Sequence, residues 1–391
     1  MSPRPTLRQV EVAGFGTTSF GIHADRSLGS LSAEAVDLAI ADADLTQEDV
    51  ELVIFSNASA GILWGQEGIR GQVALKGTRL AGLPLFNTEN ACASGAAAAH
   101  LAWLAVASGR VDVAIAIGVE KLHHPDKKRS FQAVQAATDT SVQLGSGVEA
   151  GSVAMGEYAR QARSYAAKYG DITDALAQIA VKNRAYARAN PSAQFRLAHT
   201  TADVVDSRVV APPLTLLMCS PFTDGASAIV FCSAGRRASA HLAVHVAALA
   251  SVTNAPTGPV VPRATQRVYA DSGLSAKEID VFQLHDASAF AELLQYEQIG
   301  IAEVGEAKEA ILEGRTGLGG RSPVNTDGGL LSRGHPLGAT GLAQLGELLR
   351  QLRHKAHTQV PAARRGMAVN CGGWMVDDYA TAFVTILTNG G

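Results

Sequence analysis

The sequence predicts an α/β fold built from two similar halves. Apolar, β-branched runs alternate with helical patterns: Leu52–Phe55 is typical of a buried strand, and Ser32–Ala43 of a helix with one apolar face. The chain also matches itself at an offset of 229 residues, where positions 41–60 align with 270–289 without a gap. Self-similarity over this length indicates two copies of one structural plan.

The repeat extends beyond the gapless match. With a small change of offset, Cys92-Ala-Ser-Gly95 aligns with Gly338-Ala-Thr-Gly341. Each copy then contains a helix, a strand and a second helix that begins at a turn of small residues. We therefore expect residues 1–240 to form a first half and residues 241–391 to form a second.

The first half is longer because of an insertion at about residues 121–215. The first strand of this half is predicted at Val10–Gly14. The insertion begins near His123–Arg129 and ends before a strand at Ala228–Phe231, and its own patterns predict helices over Gly156–Lys168 and Ile172–Asn190. An insertion of this size suits a lid or a substrate-binding region over the site. A subdomain without such a role, or a dimer contact, is an equally good interpretation.

Composition excludes several classes of protein. The 391 residues are 47% hydrophobic and 18% charged, enough to form a large core, and the net charge of −3 offers no basic surface for nucleic acid or membrane lipid. No nucleotide-binding glycine motif, secretory signal or membrane-length apolar run occurs. We expect a soluble cytoplasmic protein.

Cysteine spacing gives no support to a metal site or a disulfide framework. The four cysteines are Cys92, Cys219, Cys232 and Cys371, and no two of them form a C-x-x-C pair. We expect no bound metal, and thiols that stay reduced.

Cys92 is the candidate nucleophile, since it lies where a strand region gives way to an Ala-rich helix. Free backbone N–H groups and the positive end of the helix dipole favour a thiolate at such a position. The simpler alternative is a small core residue.

His335 lies between Gly334 and Pro336, in a sequence that favours a tight turn ahead of a helix. Its imidazole could accept the proton of Cys92, or donate a hydrogen bond to a developing oxyanion. A histidine that only satisfies loop carbonyls is the competing interpretation.

A second thiol, Cys371, follows the apolar run Met367–Asn370 and precedes Gly372-Gly373. A backbone N–H from this glycine pair could complete an oxyanion hole with that of Cys92, and two thiols suit acyl transfer, since one attacks while the other moves a proton. A buried strand cysteine is the alternative, which we assume for Cys219 and Cys232.

His285 ends the predicted strand Ile279–Leu284. Ligand-binding groups commonly lie at the carboxyl ends of strands in α/β sheets, so His285 is a candidate for a second oxyanion or substrate contact. A histidine that caps the strand end without contacting a ligand is equally compatible.

Together these motifs resemble the thiolase superfamily. The strings that carry the resemblance span most of the chain and are Asn90-Ala-Cys-Ala-Ser-Gly95, Cys219-Ser-Pro-Phe-Thr-Asp-Gly-Ala226, Gly334-His-Pro-Leu-Gly-Ala-Thr-Gly341 and Asn370-Cys-Gly-Gly373. The motif His285-Asp286-Ala287, with Lys182-Asn183 and Asn190-Pro191, is similar to the sterol-carrier-protein type, the SCP-x-like thiolases.

The resemblance implies two duplicated βαβαβαββ halves in five α/β/α/β/α layers, with the insertion as a loop subdomain, in a homodimer or higher oligomer. It implies Claisen-type chemistry on coenzyme A thioesters, with coenzyme A as a substrate and no tightly bound cofactor. Cys92 would carry the acyl group, His335 would activate it, and Cys371 would shuttle a proton. The N–H groups of Cys92 and Gly373 would form one oxyanion hole, and His285 would support another.

The sequence departs from the family at Ser288, where phenylalanine is common and where Phe290 follows two residues later. The leading functional prediction is an acyl-CoA:acyl-CoA C-acyltransferase that cleaves, or forms by reverse Claisen condensation, a 3-oxoacyl-CoA. The main alternative is a thiolase-like C-acyltransferase or aldolase that acts only with a small zinc-ribbon/OB-fold subunit. A non-catalytic structural subunit is a third.

Overall fold

Alternating strands and helices make up most of the computed structural model, which describes residues 7–141, 152–236 and 241–390. The strands are β1 (Val10–Thr17), β2 (Leu52–Ser56), β3 (Leu85–Thr88), β4 (Val113–Lys121), β5 (Val209–Ala211), β6 (Leu214–Thr215), β7 (Asp224–Ser233), β8 (Val244–Thr253), β9 (Val281–Gln283), β10 (Arg365–Met375) and β11 (Asp378–Asn389). The helices are α1 (Leu28–Asp42), α2 (Ala60–Trp64), α3 (Arg70–Leu75), α4 (Ser94–Ala107), α5 (Lys127–Gln135), α6 (Val153–Tyr169), α7 (Thr173–Ala187), α8 (Thr201–Val205), α9 (Val260–Ser272), α10 (Ala289–Gln298), α11 (Ala307–Leu312), α12 (Gly329–Ser332) and α13 (Leu337–Leu352).

The two halves have the same strand order. The first half runs β3-β2-β4-β7-β1, and the second runs β9-β10-β11-β8, with Val324 bridging Phe282 in parallel at the place that β3 takes in the first. A single antiparallel pair, Glu11 with His245, links the edge strand β1 of the first half to the edge strand β8 of the second, so the two β layers meet along one edge. This common order confirms the predicted duplication.

Two helices, α4 and α13, lie between the halves. Helix α13 contacts β4 and β7 of the first half and β9 and β10 of the second, and it packs against α4 along its length. Helix α1 covers the outer face of the first half and α9 that of the second. This gives the predicted α/β/α/β/α layers.

Small residues let the inner helices approach the sheet closely. A Cβ on Gly118 of β4 would lie 2.1 Å from the carbonyl oxygen of Gly338, and a Cβ on Gly95 would lie 2.7 Å from the same atom. Such distances exclude any side chain. The two aligned small-residue turns, which contain Gly95 and Gly338, therefore meet at the centre of the molecule.

The insertion is helical, as predicted. Helices α6 and α7 pack on the second half, where the buried ammonium of Lys182 lies 2.9 Å from the Glu292 carboxylate in α10. Asn183 Nδ2 donates to Glu292 and to Asp286, both at 2.8 Å. These buried contacts tie the insertion to the strand end that carries His285 and Asp286, instead of leaving it as a separate subdomain.

Other expectations for the elements hold with small shifts. Strand β10 continues past Cys371 to Met375, whereas the sequence placed Cys371 at the end of the strand. Ser288 caps α10, with its hydroxyl accepting from Ala291 N at 3.1 Å. The division at residue 240 stays a prediction. Within the described ranges no helix is long and apolar enough to cross a bilayer.

Candidate active site

Cys92 lies in a single turn of 3-10 helix, Ala91–Ala93, that leads into α4. The hydroxyl of Ser94 fixes this turn, because it accepts from Asn90 N at 2.8 Å and donates to the Ala91 carbonyl at 2.7 Å. The Cys92 side chain is partly exposed. The sequence-predicted position at the start of a helix is therefore confirmed.

The thiol pKa of Cys92 is raised to about 12, which is opposite to the direction expected for a helix start. Loss of contact with water is the largest cause, because the half-buried side chain packs on the apolar cluster of Leu63, Leu122 and Leu337. The negative charges of Glu120 and Glu89 come next. The backbone N–H groups of Cys92 and Gly373 lower the pKa, but by less. The prediction of a resting thiolate is therefore wrong, and the sulfur holds its proton until a base removes it.

His335 is placed by the turn that precedes α13. Gly334 has φ +116°, a conformation that favours glycine, and the backbone N–H of His335 donates to Thr223 Oγ1 at 2.9 Å. The imidazole Nδ1 lies 2.7 Å from Thr340 Oγ1. The ring is therefore held both through its backbone and through one of its nitrogens.

The hydrogen bonds of Thr340 define the tautomer of His335. Thr340 Oγ1 donates its own proton to the Pro336 carbonyl at 3.0 Å, so it accepts from Nδ1–H. Burial holds the pKa of His335 well below its usual range, so the ring is neutral. Nε2 then carries a lone pair, and it has no hydrogen-bond partner among the described residues. This nitrogen can accept a proton.

His285 is buried two residues beyond β9, which is shorter than the predicted strand and ends at Gln283, and burial lowers the pKa of His285 to about 3. Gln295 holds its backbone, accepting from His285 N at 3.0 Å and donating to its carbonyl at 3.0 Å. Asn370 Nδ2 donates to Nδ1 at 3.2 Å, which puts the ring proton on Nε2. The two neighbouring imidazoles, with ring centres 5.3 Å apart, are thus a proton acceptor and a proton donor.

Cys92 and the two histidines, which are far apart in sequence, come together. The Cys92 sulfur, one ring nitrogen of His285 and one of His335 all lie within 4.8 Å of one another. One sulfur and two imidazole nitrogens could also bind a metal such as Zn²⁺, although the sequence spacing did not indicate a metal site. At this separation a proton can pass from the sulfur to an imidazole with little movement.

Cys371 lines the same cavity as Cys92 and His285. It is fully buried in β10 opposite Ala382, and the cavity, which Gly373 also lines, encloses about 40 Å³. Burial raises the pKa of the Cys371 thiol well above its usual range, and Asp378 and Cys92 add to the shift. Cys219 and Cys232 are buried and line none of this cavity.

Several residues of the site carried no sequence signal. Three aromatic side chains line the cavity beside the cysteines: Tyr158 from the insertion, and Trp374 and Tyr379 from the β10–β11 hairpin. Glu120 lies buried behind it, and its carboxylate accepts from Ser59 Oγ at 2.5 Å and Gly338 N at 3.1 Å. Thr340 and Asn370 lie within the sequence motifs of the site, but only the structure shows that they form hydrogen bonds with the imidazoles of His335 and His285.

Family models match nearly the whole chain. The thiolase N-terminal domain matches residues 10–235, and the thiolase C-terminal domain-like model matches residues 239–389. The chain therefore belongs to the thiolase family of acyltransferases.

Curated relatives agree over most of their length. The chain is 36% identical to an acetyl-CoA acetyltransferase of Methanothermobacter thermautotrophicus, covering 94% of this chain and 97% of the relative. It is 34% identical to the benzoylsuccinyl-CoA thiolase subunit BbsB of Thauera aromatica, with 98% and 95% covered. It is 32% identical to sterol carrier protein 2 of Homo sapiens, with 94% and 70% covered. The predicted likeness to the sterol-carrier-protein type is thus confirmed.

Solved structures share the fold. The Ltp2-ChsH2(DUF35) aldolase superposes with a TM-score of 0.79 at 24% identity, covering 97% of this chain and 98% of that one. Human mitochondrial 3-ketoacyl-CoA thiolase in complex with CoA superposes with a TM-score of 0.72 at 17% identity, with 99% of both chains covered. At these identities the likeness concerns the fold alone.

Proposed function

We propose that the protein is an acyl-CoA:acyl-CoA C-acyltransferase that cleaves a 3-oxoacyl-CoA through an acyl group carried on Cys92. The observation that carries the proposal is the imidazole of His335, which has one ring nitrogen within 4.8 Å of the Cys92 sulfur and an unpartnered Nε2 that bears a lone pair. Cys371 lines the same cavity as Cys92. Acetyl-CoA acetyltransferase and benzoylsuccinyl-CoA thiolase relatives support the same reaction class.

In the first half-reaction, His335 Nε2 takes the proton of Cys92 and the sulfur attacks the 3-keto carbon. The developing oxyanion accepts from the N–H groups of Cys92 and Gly373, the same two groups that lower the pKa of the thiol. The bond between C2 and C3 then breaks, leaving the acyl group on Cys92. His285 Nε2–H is oriented to stabilise the enolate oxygen of the departing thioester.

Cys371 then gives its proton to the enolate carbon, which completes the first half-reaction and releases acetyl-CoA or its 2-substituted equivalent. The Cys371 thiolate then accepts the proton of an incoming coenzyme A thiol, which attacks the acyl group on Cys92. The Cys92 thiolate leaves the acyl group and takes back the proton held by His335, which restores both thiols and releases the shortened acyl-CoA. High thiol pKa values fit this use, because each thiol keeps its proton until a neighbouring group takes it, and the Cys371 thiolate is then a strong base for the proton of coenzyme A.

CoA-dependent cleavage of acetoacetyl-CoA tests the proposal. The protein should cleave it, Cys92→Ala should lose the activity, and Cys232→Ala should keep it, because Cys232 is buried in β7 away from the cavity. Equal rates for the wild type and Cys92→Ala would contradict the proposal.

A second candidate function is acyl transfer or aldol cleavage that requires a small zinc-ribbon/OB-fold subunit. It is favoured by a relative named as a subunit of benzoylsuccinyl-CoA thiolase and by a structural neighbour described as an aldolase with a DUF35 component. Activity that appears only after co-expression with such a subunit would select this candidate over the first.

We also propose that two copies of the chain associate through the edge strand β3. The outer edge of β3 has no strand partner in the described sheet. Phe86 in β3 is 59% exposed, and Ile69, the residue before α3, is 63% exposed, so both present apolar surface to solvent. Light scattering would test this, and a monomer at micromolar concentration would contradict it. A cytoplasmic location, expected from the sequence, remains part of the proposal.

A further inference from the structure

Two spaces of very different size adjoin at the β10–β11 hairpin. The cavity that contains the Cys92 sulfur encloses about 40 Å³, whereas a groove between α6, α10 and the hairpin encloses about 800 Å³. Trp374 and Tyr379 line both spaces. These two side chains therefore form the partition between the reacting sulfur and a much larger volume.

Tyr158 joins Trp374 and Tyr379 in what we call the aromatic wall. The ring of Trp374 lies edge-on to Tyr158 at 5.3 Å and to Tyr379 at 5.1 Å between centres. The hydroxyl of Tyr158 donates to that of Tyr379 at 3.1 Å. All three are buried, with at most 7% of the side chain exposed. Edge-to-face rings joined by a buried hydrogen bond form a closely packed barrier.

The cavity behind the aromatic wall is small for an acyl group. A dry apolar cavity of about 150 Å³ holds benzene, and about 10–15 Å³ holds one water molecule. At about 40 Å³, the cavity is far smaller than the space that holds benzene, so it suits an acetyl or propionyl group on Cys92 better than a benzoyl ring or an eight-carbon chain. The groove is large enough for these longer acyl groups, and Phe290 and Leu294 in its lining would contact an acyl chain that entered it.

We propose that the aromatic wall sets the acyl specificity of the enzyme, limiting the group transferred by Cys92 to about two or three carbons. Trp374, which together with Tyr379 separates this cavity from the groove, is the residue to which we assign most of this limit. The inference rests on the proposed function, since it concerns the acyl group held by Cys92. It sets this chain apart from an enzyme that transfers an aromatic acyl group.

Single-turnover acylation tests the inference. The wild type, Trp374→Ala and Met375→Ala would each be mixed with acetyl-CoA, octanoyl-CoA or benzoyl-CoA, and the acylated Cys92 peptide measured by mass spectrometry over time. Met375 is the matched control, because it lies beside Trp374 and lines only the groove. Misfit of one methylene costs about 10- to 200-fold in rate, so the wild type should favour acetyl over octanoyl by at least about 100-fold.

Trp374→Ala should reduce this preference by at least about tenfold by accelerating octanoyl transfer, while Met375→Ala keeps the wild-type preference. Trp374→Leu, which leaves a larger apolar side chain than alanine in the space of the indole ring, should give a smaller change in the same direction and serves if the alanine variant does not fold. A wild type that accepts octanoyl or benzoyl as fast as acetyl overturns the inference, as does an unchanged preference in folded Trp374 variants. Acylation by no donor at all would instead overturn the proposed function.

Discussion

Removing the Thr340 hydroxyl should slow acylation of Cys92 without altering the shape of the site. Thr340→Val keeps the branched side chain, but it takes away the oxygen that accepts Nδ1–H of His335 at 2.7 Å. The ring then either buries an unpaired N–H or moves its proton to Nε2, where it can no longer accept the Cys92 proton. Thr340 thus acts as a positioning residue through His335.

The size of the effect follows from the buried hydrogen bond. Leaving a buried donor without a partner costs about 1–3 kcal/mol, and each 1.4 kcal/mol is about tenfold in rate. Thr340 is fully buried, so water does not replace the lost acceptor. We therefore expect acylation by acetyl-CoA to be about 5- to 150-fold slower in Thr340→Val.

Quenched-flow mixing with acetyl-CoA, followed by the mass of the intact protein, gives the acylation rate directly. Thr340→Ser is the matched control, because it retains the hydroxyl and should stay close to the wild-type rate. The acetyl-CoA concentration for half-maximal rate should not change in either variant. A Thr340→Val protein that is acylated as fast as the wild type would refute the assignment of the proton on His335.

Three further predictions follow from buried groups. The Cys371→Ala variant should still accept an acetyl group on Cys92 from acetyl-CoA, but it should cleave acetoacetyl-CoA about 100- to 10,000-fold more slowly than the wild type. An equal loss of acetylation and of cleavage would contradict the proton-transfer role of Cys371. Lys182→Met should lower the free energy of unfolding in urea by about 3–5 kcal/mol, because it leaves Glu292 buried without its cation; an unchanged transition midpoint would show that the pair is not structural. Burial raises the pKa of Glu347 to about 7 from 4.5, so the native state holds a proton that the unfolded state loses, and the free energy of unfolding falls as pH rises through this range. The free energy of unfolding of Glu347→Gln should equal that of the wild type below pH 4.5 and exceed it by about 3 kcal/mol above pH 7. An equal difference at both pH values would contradict the shift.

The sequence predicted the duplication and the meeting of the site residues because both leave local patterns. The small residues around Gly95 and Gly338 align with each other, and the structure packs these turns together at the centre of the molecule. The turn around Gly334 predicts a rigid position for His335, and the structure places it within reach of Cys92. Backbone constraints of this kind are visible in a single sequence.

Properties that depend on packing could not be predicted in the same way. The helix-start argument for Cys92 gave the correct sign for the backbone N–H groups, but the net pKa also depends on the apolar side chains and the carboxylates around the sulfur. The aromatic wall joins Tyr158 of the insertion to Tyr379, 221 residues further along the chain, and no motif marks either position. The insertion therefore proved to contribute to the site only once its contacts were known.

Trapping of the acyl group tests the central claim most directly. After brief exposure to acetyl-CoA and acid quenching, peptide mass spectrometry should find an acetyl group on Cys92 and none on Cys371, Cys219 or Cys232. Addition of coenzyme A before the quench should remove it. An acetyl group on Cys371 in place of Cys92, or no adduct in protein that cleaves acetoacetyl-CoA, would contradict the account.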